Sequence, residues 1–342
     1  MLWQYLKKAD KPILLYGMGN GADKILNALE ELSIPVRGVF ASDGFVRNKV
    51  FRGFKLMSYS EAKADFGSMI VLLSFGTQRP DDLELIRRVA SEQELYCPDV
   101  PVYGRTLFNL EYAKAHSSQL EAVYGRLSDE QSRKVFRNVI ESKLTGRIEP
   151  LFNCETSPDE AFENILRLTD SEIYMDLGAY NGDTVLDFTS RTASWRHIYA
   201  LEPDKKNFTK LTRNLEDIPN CTLLNVGAHN CSETINFRNN SGRNSAVSSS
   251  GVPTAMNSVD NILAKSPATY IKMDVEGQER LAIEGSSETI IRFKPKLLVS
   301  AYHRSEDIFA LPLQILALRP DYKLYMRHYP YLPAWDTNYY FV

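Results

Sequence analysis

The sequence predicts an α/β protein made of two units, each a parallel β-sheet flanked by helices. Three observations carry this reading. Short apolar runs alternate with segments whose apolar residues recur at helical spacing, the pattern of a parallel sheet with crossover helices. The chain has 342 residues, more than the roughly 100–200 of one domain. A purely helical stretch then divides the alternation into an early and a late series. The expected organisation is an α/β unit at 1–115, a helical linker at 116–150 and a second α/β unit at 151–342.

In the first unit, Ile13 to Tyr16 reads as a buried strand, Gly17 to Ala22 as a turn, and Ile25, Leu26, Leu29 and Leu32 as one helix face. Val36 to Phe40 and Met69 to Ser74 are further strands, and Leu83 to Val89 a further helix. From 118 to 150 the pattern is helical throughout. Ser128 with Gln131 reads as a capping box, Val135, Phe136, Val139, Ile140 and Leu144 as the apolar face, and Gly146 as the stop. In the second unit the expected strands are Glu172 to Leu177, His197 to Leu201, Thr222 to Val226, Thr269 to Met273 and Lys296 to Ala301. A final pair spans Tyr322 to His328 and Asn338 to Val342.

Composition excludes several classes. With 44% hydrophobic and 24% charged residues, the chain is neither disordered nor fibrous. A net charge of −3 argues against a basic nucleic-acid surface, so no nucleic-acid partner is expected. No apolar run approaches about 18 residues, so no membrane span is expected. The first residues lack a signal-peptide pattern. Cys97, Cys154, Cys221 and Cys231 form no C-x-x-C pair, and the five histidines show no zinc spacing. The expectation is free thiols in a reducing cytoplasm, with no metal.

The segment with the most chemistry runs from Ile173 to Thr184, a buried strand, a glycine turn and the start of a helix. Ligands in such sheets bind at the carboxyl ends of strands. Gly178 and Gly182 lack a Cβ and would let a ligand approach the backbone. The helix start would offer N–H groups to a carboxylate, and Asp176 would accept from an ammonium group. A ligand with both groups is an amino acid. The next strand ends in Glu202-Pro203, where an acid can accept from both hydroxyls of a ribose. An amino acid joined to a ribose describes S-adenosylmethionine. The expected cofactor contacts are Asp176, Gly178, Tyr180, Asn181, Gly182, Asp183, Glu202 and Pro203.

At this point residues 151–342 resemble the FkbM-type methyltransferases, a branch of the Rossmann-like S-adenosylmethionine-dependent enzymes. The resemblance rests on DLGAYNGDT at 176–184, ALEPD at 200–204 and IKMDVEGQE at 271–279, extended by SAYHRSEDI at 300–308 and YKLYMRHY at 322–329. The stretch LSDEQSRKVFRNVIESKLTG is similar to bacterial members with an N-terminal extension. The resemblance covers about two-thirds of the chain. It implies a class I methyltransferase sheet of seven strands with an antiparallel last strand, and methyl transfer usually to oxygen, in many members on sugars or secondary metabolites.

A hydroxyl acceptor must lose a proton to a group within hydrogen-bond reach. His303, after the fifth strand, is the expected base or acceptor-orienting residue, with Asp274 the runner-up. Glu276 is read as the start of the next helix, and His328, closing the sixth strand, as a packing residue. Lys272 is open between a snorkelling and a site role. Asp274 and Glu276 could hold a divalent cation with a substrate diol, but acids at this spacing are common. Asn244, Ser245 and Ser248 lie in a polar stretch, Arg238 to Gly251, that reads as a surface loop or as a cover over cofactor and substrate. Asp260 is expected to cap the helix that follows it.

The first unit is open. Gly17-Met18-Gly19-Asn20-Gly21-Ala22 fits G-x-G-x-x-A between strand and helix, and Asp43 lies near where a ribose-binding acid is expected. Three readings stand side by side: a Rossmann-like domain binding a nucleotide or nucleotide sugar, a degenerate one used for packing or dimerisation, and a working NAD site. The C-terminal aromatics Tyr329, Tyr331, Trp335, Tyr339, Tyr340 and Phe341 suit edge packing, a sugar-stacking surface or a homodimer contact. The expected activity is O-methylation of a small polar acceptor, a sugar or glycoconjugate. The alternatives are a non-catalytic nucleotide-binding regulator and an NAD-linked oxidoreductase.

Overall fold

The structure is a computed structural model and describes residues 1–43, 50–238, 246–247 and 252–342. The first sheet contains β1 (Ile13–Tyr16), β2 (Gly38–Ala41), β3 (Val50–Phe51), β4 (Phe54–Ser58), β5 (Ile70–Leu73) and β6 (Glu94–Tyr96). Their order is β3-β4-β2-β1-β5-β6. β1 is central because its ILLY side chains are all buried, which only a strand covered on both faces allows. It pairs in parallel with β2 and with β5.

The bridge after this sheet carries helices Ser117–Arg126 and Glu130–Thr145. The cap of the second is Asp129, which accepts from the Ser132 N–H at 2.7 Å. Ser128, the expected cap, instead accepts from the Leu324 N–H at 3.1 Å and ties the bridge to the second unit. Gly146 ends the helix with φ 68, the left-handed conformation glycine adopts without strain.

The second unit contains β7 (Ile173–Leu177), β8 (His197–Leu201), β9 (Cys221–Leu224), β10 (Gly227–Ala228), β11 (Glu233–Arg238), β12 (Ala246–Val247), β13 (Val252–Asn257), β14 (Tyr270–Met273), β15 (Lys296–Ser300), β16 (Leu324–His328) and β17 (Thr337–Phe341). Seven of these form the large sheet, ordered β16-β17-β15-β14-β7-β8-β9, with β17 antiparallel to both neighbours. This is the expected class I methyltransferase sheet. The small sheet β10-β13-β11-β12 was not foreseen: β10 and β12 are two residues long, and β11 and β13 mix polar residues into their runs. Asn244, Ser245 and Ser248 lie outside the described residues. Asp260 caps a different helix from the one expected. Its own helix is capped by Ser258, while Asp260 accepts from the N–H groups of Glu288 and Thr289 at the start of Ser287–Phe293.

The two units pack closely. Thr77 and Leu332 exchange backbone hydrogen bonds at 2.8 and 3.0 Å. Beside them, a Cβ on Gly76 would come within 2.6 Å of the Trp335 ring and 2.9 Å of Tyr331. Tyr103 donates its N–H to the His303 carbonyl at 2.7 Å.

Candidate active site

Reading across the carboxyl edge of the large sheet, β9, β8, β7, β14 and β15 lead into Asn225, Glu202, Gly178, Asp274 and Tyr302. Neighbouring strands lie about 4.8 Å apart, so these residues form a row. All five line one cavity of ≈ 940 Å³. Strand order reverses between β7 and β14, the switch point where open α/β sheets bind ligands.

Glu202 is the best-prepared group in the row. Its carboxylate accepts from the Tyr180 N–H at 2.9 Å and the Asp204 N–H at 2.8 Å. The residue is 6% exposed and lines the cavity. Burial pushes its carboxyl up to about 7, against those two donors. Asn225 braces the segment by donating to the carbonyls of Glu202 and Pro203.

The glycine turn works differently from the sequence expectation. A Cβ on Gly178, at φ +87, would lie 1.9 Å from the Asp274 carbonyl oxygen, so the space belongs to the neighbouring loop and not to a ligand. At Gly182, Leu215 and Leu211 fill the space. The first helical N–H groups are also partly taken, Asp183 N–H by the Asn181 side chain and Thr184 N–H by the Asp183 side chain.

Asp176 accepts an ammonium group, but one that the chain supplies. Lys272, opposite it in register on β14, donates to it at 3.0 Å. Thr184 donates to its other oxygen, and the carboxylate is fully buried. Lys272 also lines the cavity, and the Asp176 charge raises its pKa against the downward pull of burial. Of the expected cofactor contacts, Gly178, Tyr180, Asp183, Glu202 and Pro203 line the cavity, whereas Asp176, Asn181 and Gly182 stand behind its wall.

His303 does not sit over the crevice. It is 0% exposed and lies behind the wall, which Asp274, Glu276 and Tyr302 form. Its Nδ1 lies 3.0 Å from Glu279, and its Nε2 lies 3.4 Å from Asp274 and 3.6 Å from Glu276. Burial alone would lower its pKa, but the surrounding carboxylates dominate, Glu279 foremost, and raise it to about 10. Those carboxylates favour the protonated ring, the form without a lone pair for a further proton. Asp307, behind it, is pushed up to about 8 by burial and by Glu279. Asp274 remains at the cavity and accepts from the Tyr302 hydroxyl at 3.2 Å. His328, the sixth-strand histidine, is buried beside Thr337 at 3.0 Å.

Beyond Asp274 the wall is aromatic and polar, with Tyr331, Trp335, Asp336 and Asn338. The first unit adds Gln78 and Val102. Sequence reasoning missed Asn225, Tyr302 and Gln78. Tyr302 could have been found next to His303, while nothing local marks Gln78. In the first unit, a Cβ on Gly17 would meet the Phe75 ring at 2.5 Å, and one on Gly21 the Ser74 carbonyl at 2.4 Å. These glycines admit β5-loop residues where a dinucleotide would need room. Asp43 is held by the N–H and hydroxyl of Ser60.

Residues 176–324 match the methyltransferase FkbM domain. The fold is similar to a crystal structure of methyltransferase FkbM from Methylobacillus flagellatus, at 22% identity and a TM-score of 0.75, over 99% of this chain and 92% of that one. An rRNA methylase from Streptococcus thermophilus is similar over 54% of this chain and 95% of its own, at 16% identity and a TM-score of 0.37. No curated protein matches. The second unit of this chain is thus similar to the methyltransferase FkbM domain over residues 176–324, and the protein is an S-adenosylmethionine-dependent methyltransferase.

Proposed function

We propose that the chain methylates a hydroxyl of a small polar acceptor, a sugar or glycoconjugate, and that Asp274 takes the proton. The observation that carries this reading is the row from Glu202 to Asp274 in one cavity. Glu202 and Asp274 sit on strands separated only by β7, so a ligand held at one reaches the other. When bound, S-adenosylmethionine supplies an activated methyl group.

The chain's own residues do the rest. Glu202 offers two oxygens to the ribose hydroxyls, and Pro203, Gly227 and Met256 give a flat apolar slot for the adenine. Lys272 presents positive charge to the amino-acid end. Asp274, a carboxylate on the cavity wall, accepts the hydroxyl proton as the acceptor oxygen aligns with the methyl group. The His303 imidazolium fixes Asp274 from behind. Trp335 and Tyr331 offer ring faces to a sugar, and Gln78, Asp336 and Asn338 offer polar groups for its hydroxyls. In the glycine loop of the first unit, Phe75 and Ser74 fill the space at Gly17 and Gly21 while Gly19 stays open, which supports a packing role at the two outer glycines. Among the described residues no helix is long and apolar enough to cross a membrane. The four free cysteines support a cytoplasmic location.

The test is calorimetry with S-adenosylhomocysteine, then an acceptor screen over sugars and nucleotide sugars. Wild type is expected to bind in the micromolar range, about −8 kcal/mol, and Glu202→Ala to bind far more weakly. Asp274→Asn should keep product binding and lose turnover by about 10²–10⁴-fold. Full turnover in Asp274→Asn would remove Asp274 from the chemistry.

A further inference from the structure

Outside the cavity, His229, Cys231 and Glu233 converge at the turn between β10 and β11. Their alternate spacing puts all three side chains on one side of the turn. The Cys231 Sγ lies 3.8 Å from His229 Nδ1 and 3.6 Å from Glu233 Oε1, and His229 Nδ1 lies 3.3 Å from Glu233 Oε1. These are the edges of a coordination polyhedron. Zinc bonds of about 2.3 Å to sulfur and about 2.1 Å to nitrogen and oxygen, at tetrahedral angles, separate the ligand atoms by about 3.6 Å for S–N, about 3.6 Å for S–O and about 3.4 Å for N–O. Three donors of different kinds match all three edges to within a few tenths of an ångström.

We propose that His229, Cys231 and Glu233 form a binding site for a divalent transition metal of the zinc type, with the fourth position open to water. The donor set suits such a metal: one thiolate, one imidazole and one carboxylate, which excludes magnesium and calcium as natural occupants. Binding displaces the thiol proton to solvent, and the thiolate and carboxylate then balance the two positive charges. The turn is anchored for the task. The His229 N–H donates to the Asn257 carbonyl at 2.9 Å, and Asn230 donates to Glu284 at 3.0 Å. The next residue on β11, Thr234, lines the cofactor cavity, so a metal here would clamp the small sheet beside that cavity.

Cobalt(II) titration of the purified full chain tests the site. The expected result is a thiolate-to-cobalt charge-transfer band, saturating at one equivalent with micromolar or tighter affinity and bleached by zinc. Cys231→Ser should abolish the band, and Glu233→Gln should weaken binding by more than about tenfold. Both side chains are exposed, so neither variant threatens the fold. Cys97 and Cys154 are buried and remain as internal controls. Absence of the band at millimolar cobalt, its persistence in Cys231→Ser, or unchanged affinity in Glu233→Gln would each overturn the proposal.

Discussion

Asp176 and Lys272 stand opposite each other on adjacent strands, their charged ends 3.0 Å apart beneath the glycine turn. The carboxylate is fully buried, so Lys272 is its chief compensation. Lys272→Met leaves a buried charge held by neutral hydroxyl donors such as Thr184 and is expected to destabilise the second unit by about 3–5 kcal/mol. The double variant Asp176→Asn/Lys272→Met should recover most of that loss. Urea unfolding of the three proteins reads the difference, and equal midpoints for the single and double variants would contradict the pairing.

Cofactor binding should depend on pH through Glu202. Its carboxyl is raised to about 7 in the ligand-free protein, and only the ionised form accepts from both ribose hydroxyls. Affinity for S-adenosylhomocysteine should therefore rise by up to about tenfold per pH unit below 7 and level off above it. Binding below pH 7 should release a proton, visible as buffer-dependent calorimetric heat. Glu202→Gln should bind more weakly and lose the slope.

His303 makes an opposite, stability-linked prediction. Its pKa rises from 6.5 in the unfolded chain to about 10 in the fold, so it favours the folded state most below pH 6.5. That contribution fades as pH climbs toward 10. The denaturation midpoint should fall over this alkaline range, and His303→Gln, less stable at pH 7, should show a flatter profile. A midpoint that rises with pH in wild type would refute the imidazolium.

Gly178→Ala tests whether the turn is shaped by its neighbour. The added methyl would collide with the Asp274 carbonyl, a backbone atom that cannot swing aside. Loss of more than about 2 kcal/mol is expected, together with loss of product binding. Gly104→Ala, at φ +90 with open space around it, should cost only about 1–2 kcal/mol. Equal costs would assign the effect to backbone conformation alone.

Central strands were legible because burial on both faces writes them as unbroken apolar runs, as in Ile13–Tyr16 and Ile70–Leu73. The small sheet was not, because β10 and β12 are two residues long and the polar residues in β11 and β13 share composition with loops. Glu202 was legible from its place after β8. The protonation state of His303 was not, since it depends on Glu279, Glu276 and Asp274 closing around it, and sequence spacing does not show that enclosure. The metal-type trio escaped for a similar reason: zinc templates look for paired cysteines or histidines, and H-x-C-x-E becomes a cluster only when the chain turns.

The Thr77–Leu332 strap has a further meaning. Most of the cavity lining comes from the second unit, and the first adds Gln78, beyond the β5 loop, and Val102. On the proposed function, acceptor choice would therefore be open to drift through substitution of Gln78, in a stretch of chain separate from Glu202 and Asp274. A lineage could exchange one acceptor for another at this seam and inherit its catalytic apparatus unaltered.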